Sequence, residues 1–148
     1  LKDKMSLNLK NKFNPTKTKI GLYIGIISFS NYSDLESKYD EGILDFLNLK
    51  ISQNIMDCII QGEQLEKTDE DEYTLILLAE NDIQAQKKFN MIFNALKNIS
   101  IDGIKPDIAI GVSNCYKDNV FDFELAQKQA RIALEKITDR NKVVIYAE

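Results

Sequence analysis

A chain of 148 residues, 44 % apolar, can bury one substantial core and is too short for two comfortable domains. Its net charge of -4, from 19 basic and 23 acidic side chains, excludes the basic footprint of a nucleic-acid or anionic-bilayer binder, so any polyanion contact must be local. Histidine is absent, which removes the commonest general base, the commonest zinc ligand and the usual switch near neutral pH.

The two cysteines, Cys58 and Cys115, lie far apart and show no paired spacing. They read as small hydrophobes in a reducing cytoplasm, with neither a disulfide framework nor a zinc site signalled. Arginine occurs only at Arg131 and Arg140. No stretch approaches the ~20 apolar residues of a membrane span, and no charged-then-apolar leader opens the chain. With Leu1 in first place, the expectation is a cytoplasmic piece of a longer polypeptide.

Residues 1–19, rich in Lys and Asn, read as a solvated lead-in before a domain over 20–148. Ile20 to Phe29 is continuously apolar and β-branched, which predicts a buried strand. Ser33 and Asp34 offer N-caps to a helix. From Tyr39, the apolar positions Ile43, Phe46, Leu47, Ile51, Ile55 and Ile59 mark one stripe of a long helix that Gly62 would stop.

Gln64 to Thr68 alternates polar and apolar, Asp69 to Glu72 are four successive acids, and Thr74 to Ala79 is an apolar run. Four acids in a row resist burial, so the pattern predicts a β-hairpin with an exposed acidic tip at the mouth of a core strand. Such a tip is simply solvated, or a cation site, or a docking patch for a basic partner. A second helix spans Ile83 to Ile99, with Ala85, Phe89, Ile92, Phe93 and Leu96 inward. Past Gly103 and Pro106, Asp107 to Val112 reads as a strand. A third helix over Asp122 to Ile137 turns Phe123, Ala126, Ala130, Ala133 and Leu134 inward, and Val143 to Tyr146 closes as a strand. The order β-α-β-β-α-β, then α-β, predicts an α+β ferredoxin-like palm with a mostly antiparallel sheet flanked by helices. Unrelated nucleotide enzymes share that palm, so the order alone selects no function.

The run Lys67-Thr68-Asp69-Glu70-Asp71-Glu72-Tyr73 and the apolar strand after it resemble the signature hairpin of GGDEF domains, the diguanylate cyclase family. The acidic pair and the aromatic match, while Asp69 and Glu70 stand where the family has two glycines. Asp107 to Val112 resembles the family strand "v-T-v-S-i-G-v", with Ala109 for Ser, and Lys136 to Val143 resembles "A-K-x-x-G-R-N-R-V". Asp3 to Phe13 faintly resembles the family's opening segment. The likeness runs from about Ile20 to Tyr146.

The resemblance implies a site in which two carboxylates hold divalent metal, which neutralises triphosphate and activates the attacking 3′-hydroxyl. The family's "D-x-D-x-F-K" falls on Ser28-Phe29-Ser30-Asn31-Tyr32-Ser33, so its metal-binding Asp is Ser28 and only Asp71 remains as a ligand. A neutral hydroxyl is no replacement for a carboxylate toward Mg²⁺. Asp69 and Glu70 fill the glycine cradle with charge; at ~4 Å and an effective dielectric near ~20, each repels a phosphate by up to about 4 kcal/mol before screening. Guanine recognition falls on Glu36 and, nine residues on in the first long helix, Asp45, and phosphate binding on Lys136 and Arg140. In the last turn of a helix, the latter two also suit the dipole. The inhibitory "R-x-x-D" falls on Ile60-Gln61-Gly62-Glu63, without the Arg. Asn31-Tyr32-Ser33-Asp34 resembles the "N-Y-D-D" of degenerate GGDEF domains in DHH-type cyclic di-AMP phosphodiesterases.

The expectation is a degenerate, catalytically inactive GGDEF-like domain in a larger bacterial protein. It has no catalytic residue, no protein-held metal, and Mg²⁺ only where nucleotide binding is retained. Candidate partners are neighbouring domains, a homodimer mate, and a guanine nucleotide or cyclic dinucleotide; nucleic acid is not among them. The alternatives are weak nucleoside triphosphate hydrolysis at the acidic tetrad, and the DHH-linked setting.

Overall fold

β1 (Gly21–Phe29) is the middle strand of a five-stranded sheet. The computed structural model describes residues 20–100, 103 and 105–147; the expected lead-in and the match at Asp3 to Phe13 lie outside them. In chain order the other elements are α1 (Tyr32–Lys38), α2 (Glu41–Cys58), β2 (Gln64–Asp69), β3 (Glu72–Ala79), α3 (Asp82–Lys97) and β4 (Ile108–Asn114). The short strands β5 (Tyr116–Lys117) and β6 (Val120–Phe121), then α4 (Phe123–Glu135) and β7 (Val143–Ile145), complete the described chain.

The sheet order is β2-β3-β1-β4-β7, antiparallel throughout except for the parallel pair β4–β7. This is the expected palm. β1 is apolar at nearly every position because both its faces are covered. Tyr23, Ile27 and Phe29 pack with residues of α1, α2 and α3, while Leu22, Ile24 and Ile26 pack with Phe123, Ala126, Ala130 and Leu134 of α4.

Two strand glycines set how closely the helices approach. A Cβ on Gly25 would lie 2.2 Å from Phe89 Cε1, and one on Gly111 would lie 2.3 Å from the backbone oxygen of Ala130. On the Phe89 side the obstacle is a side chain; on the α4 side it is main chain, which has nowhere to swing.

The long helix expected after β1 is two helices. Tyr39 and Asp40 are extended, and Asp40 Oδ1 accepts from Ile43 N at 2.9 Å, which caps α2 and breaks it from α1. Ser33 and Asp34 lie inside α1 rather than at its cap, and Asn31 precedes it without a side-chain cap bond. The buried stripe of α2 is Leu44, Leu47, Ile51 and Ile55; Phe46 points to solvent. Gly62, at φ 97, serves the turn into β2, since α2 has already ended at Cys58. α3 and α4 carry the expected apolar faces and are capped by Asn81 and Asp122. The β5–β6 hairpin was not expected; it turns on Asp118 and Asn119, both at positive φ. Cys115 is buried and Cys58 half-buried, both as free thiols.

Candidate functional site

The C-terminal end of β1 and the β2–β3 hairpin meet at Ser28, whose Cα partners are Glu72 on β3 and Ala109 on β4. The four acids of the hairpin are not a free tip. Asp69 and Glu72 belong to the strands and pair with each other past a bulge between Lys67 and Asp69, leaving Glu70 and Asp71 as the turn.

Glu72 is half-buried, against the expectation that the acids stay exposed, because α4 brings an arginine to it. Arg131 Nη1 and Nη2 donate to Glu72 Oε2 and Oε1 at 2.6 and 2.7 Å, a bidentate fork. That hydrogen bond raises the pKa of the Arg131 guanidinium above its ordinary value. Thr68 Oγ1, 3.4 Å from Glu72 Oε1, closes the other side.

In the turn, Asp69 Oδ1 accepts from Glu70 N at 2.8 Å. The backbone donor that a glycine turn would offer to an incoming phosphate is thus occupied by the chain's own carboxylate. Phe29 N donates to the Asp71 carbonyl at 3.0 Å and ties the turn to β1, while the Asp71 side chain is exposed.

Arg140 closes the end of β1 from below. The helix ends at Lys136, so Arg140 lies in the connection to β7 rather than in a last helical turn. Its Nη2 donates to the carbonyls of Ser28 at 2.7 Å and Asp107 at 3.1 Å, and its Nε stands 3.7 Å from Asp107 Oδ1. Ser30 Oγ donates to Asp107 Oδ2 at 2.6 Å, and Asn31 bonds Lys105 O and Asp107 N. The residues aligned with the metal motif therefore hold the segment that leads into β4.

Of the residues suggested by sequence, the structure brings Ser28, Arg140 and the hairpin acids together. Asp45 is exposed on α2 and Lys136 is the exposed C-cap of α4; among the described residues neither is hydrogen-bonded to the Arg140 cluster. Glu36 and Asp45, expected on one helix, sit on two. Sequence reasoning missed Arg131, Asp107 and the packing role of Asn31. Only the scarcity of arginine pointed to Arg131.

No protein-family model matches the sequence, and a search of curated proteins finds no match. Solved structures do match. The GGDEF domain of DgcB from Caulobacter crescentus, solved with cyclic di-GMP, superposes with a TM-score of 0.82 at 11 % identity over 97 % of this chain and 86 % of that one. The GGDEF domain of YfiN from Pseudomonas aeruginosa gives 0.82 at 13 %, over 99 % and 93 % of the two chains. The active GGEEF domain of a diguanylate cyclase from Vibrio cholerae gives 0.76 at 15 %, over 86 % and 83 %.

This chain has the GGDEF fold.

At such identities the likeness carries the fold, and the chemistry has to be judged on the side chains present. The GGDEF family's divalent metal does not fit them. Ser28 offers an alcohol, Glu72 is neutralised by Arg131, and Asp71 is a single exposed carboxylate. Among the described residues no three acids, cysteines or histidines converge to hold a metal ion.

At the inhibitory-site position of GGDEF domains, Glu63 is not a surface acid. Its side chain is fully buried, accepts from Ile60 N at 2.8 Å and Leu78 N at 2.9 Å, and pairs with Lys88. The other end of the sheet holds a cavity of about 160 Å³ lined by Asp82, Ser113, Asn114, Tyr116, Gln129 and Tyr146 among others. Tyr23 Oη donates to Asp82 Oδ1 at 2.6 Å beside it, and burial, followed by this bond, raises the Tyr23 phenol well above its ordinary pKa.

Proposed function

We propose that this GGDEF-fold domain makes no cyclic dinucleotide and serves as a regulatory or interaction module of a larger bacterial protein. The observation that carries the reading is the pair of guanidinium groups bracketing Ser28. Arg140 takes the Ser28 carbonyl and Arg131 takes Glu72, the Cα partner of Ser28, which supports a pocket whose charge is balanced by the protein's own side chains rather than by divalent metal. The side chains of Asp69 and Glu70, with the Asp69 carboxylate on the Glu70 amide, support the same conclusion for the phosphate cradle. A guanine nucleotide or cyclic dinucleotide held through the candidates Asp45, Lys136 and Arg140 would be bound and released unchanged.

The test is product analysis after incubation with GTP and either Mg²⁺ or Mn²⁺, beside thermal-shift measurements with GTP, ATP, cyclic di-GMP and cyclic di-AMP. No dinucleotide product is expected. Accumulation of cyclic di-GMP would overturn the proposal.

A further inference from the structure

The outer face of α2 carries a second apolar stripe that nothing in the described fold covers. Phe46, Leu49 and Met56 are 48, 51 and 55 % exposed, and Ile60, just past the helix end, is 61 % exposed. Within α2, Phe46, Leu49, Gln53 and Met56 are spaced by three, four and three residues, the rhythm of a coiled-coil seam. At about 100° per residue this seam lies opposite the buried stripe of Leu44, Leu47, Ile51 and Ile55. A row of large apolar side chains in water marks an interaction surface.

The charges beside the seam say what covers it. With Phe46 and Gln53 in the a positions and Leu49 and Met56 in d, both e positions are charged and opposite in sign: Lys50 and Asp57. Both are exposed, and neither has an ion-pair partner among the described residues; the Lys50 ammonium rests 5.8 Å over the Phe46 ring. An antiparallel pairing about a two-fold axis through Gln53 sets e against e. It would place each Lys50 opposite the Asp57 of the other copy and Leu49 opposite Met56, with Phe46 at the end of the other helix, where Ile60 is exposed. The two Gln53 amides would meet at the axis, where each can donate to and accept from the other. A surface complementary to itself in apolar spacing and in charge is the requirement of an isologous dimer. Antiparallel helices also place opposite dipole ends side by side.

We infer that the exposed face of α2 docks on the same face of a second copy of this chain, as an antiparallel helix pair centred on Gln53. This deepens the interaction-module reading and can fail independently of it, since association is read by sedimentation and catalysis by product formation. The seam from Phe46 to Met56 is only about 15 Å long, so the interface is small and the affinity modest.

Sedimentation equilibrium from roughly 1 µM to 1 mM spans that range of affinities. The wild-type chain is expected to shift from monomer to dimer, and Leu49→Glu, at an exposed position, to remain monomeric with an unchanged circular dichroism spectrum. Lys50→Glu and Asp57→Lys are each expected to weaken association about tenfold or more, and the double exchange to restore it. A wild-type chain that stays monomeric would overturn the inference. So would a dimer indifferent to Leu49→Glu, or charge exchanges whose losses simply add.

Discussion

Two acids at opposite ends of β3 have opposite jobs. Glu72 opens the strand and is held by Arg131, whose side chain is 40 % exposed. Glu63 lies near the other end, on Leu78 N, with its carboxylate fully buried and Lys88 partly so. Both sit where the GGDEF resemblance assigns function, one beside the metal site and the other in the inhibitory motif. Burial separates them. Removing one partner of a buried pair strands a desolvated charge, whereas an exposed pair is replaced by water at little cost. The Glu63 end therefore holds the fold, and the Glu72 end can change with little loss of stability.

The largest expected effect tests the buried end. Glu63→Ala leaves Lys88 without its counter-charge and two backbone donors unsatisfied, and should cost about 3–5 kcal/mol, seen as a lowered denaturant midpoint with an unchanged slope. Glu63→Gln, which keeps the shape and an acceptor, should cost clearly less. If Glu63→Ala unfolds at the wild-type midpoint, the distinction between the two ends collapses.

The buried strands and the faces of α3 and α4 were legible because apolar runs and helical stripes are local patterns. β1, β3 and β4 could hardly be read otherwise. The break between α1 and α2 was hidden because Tyr39 continues the apolar rhythm across it, and only the Asp40 cap, indistinguishable in sequence from any other Asp, marks the restart. Phe46 is apolar yet outside the core, so counting it as inward blurred the stripe of α2. At the site, the position of Ser28 beside the hairpin and the charged turn were readable from register alone. Arg131 and Glu72 were not, because they are 59 positions apart and meet only once α4 crosses the sheet. Arg140 was placed in a helix that in fact ends at Lys136.

An intermediate effect belongs to the Glu63 end and depends on pH. The Tyr23 phenol is raised above its ordinary value, first by burial and then by its bond to Asp82. A group whose folded pKa is raised adds stability that is fully present below its unfolded pKa, about 10 for tyrosine, and is lost as pH climbs beyond it. Stability should fall from about pH 9 to about pH 11, and Tyr23→Phe should flatten part of that fall. The phenols of Tyr32, Tyr73 and Tyr116 and the thiols of Cys58 and Cys115 are also raised and keep the rest. Equal slopes for the two proteins would mean that the Tyr23 phenol is not raised in the folded chain.

The smallest expected effect is the most informative about function. Glu72→Gln, or Arg131→Ala, breaks the bidentate pair where one partner is well exposed, so each should cost no more than about 1 kcal/mol. The double variant should cost no more than the larger single one, because the coupling energy measured by that cycle is all that the pair contributes. A coupling of several kcal/mol would make Arg131 a keystone of the α4–sheet contact, and its presence beside Ser28 would then be a consequence of folding. A small coupling leaves another reason for an arginine there: it neutralises a partly buried carboxylate that borders Ser28.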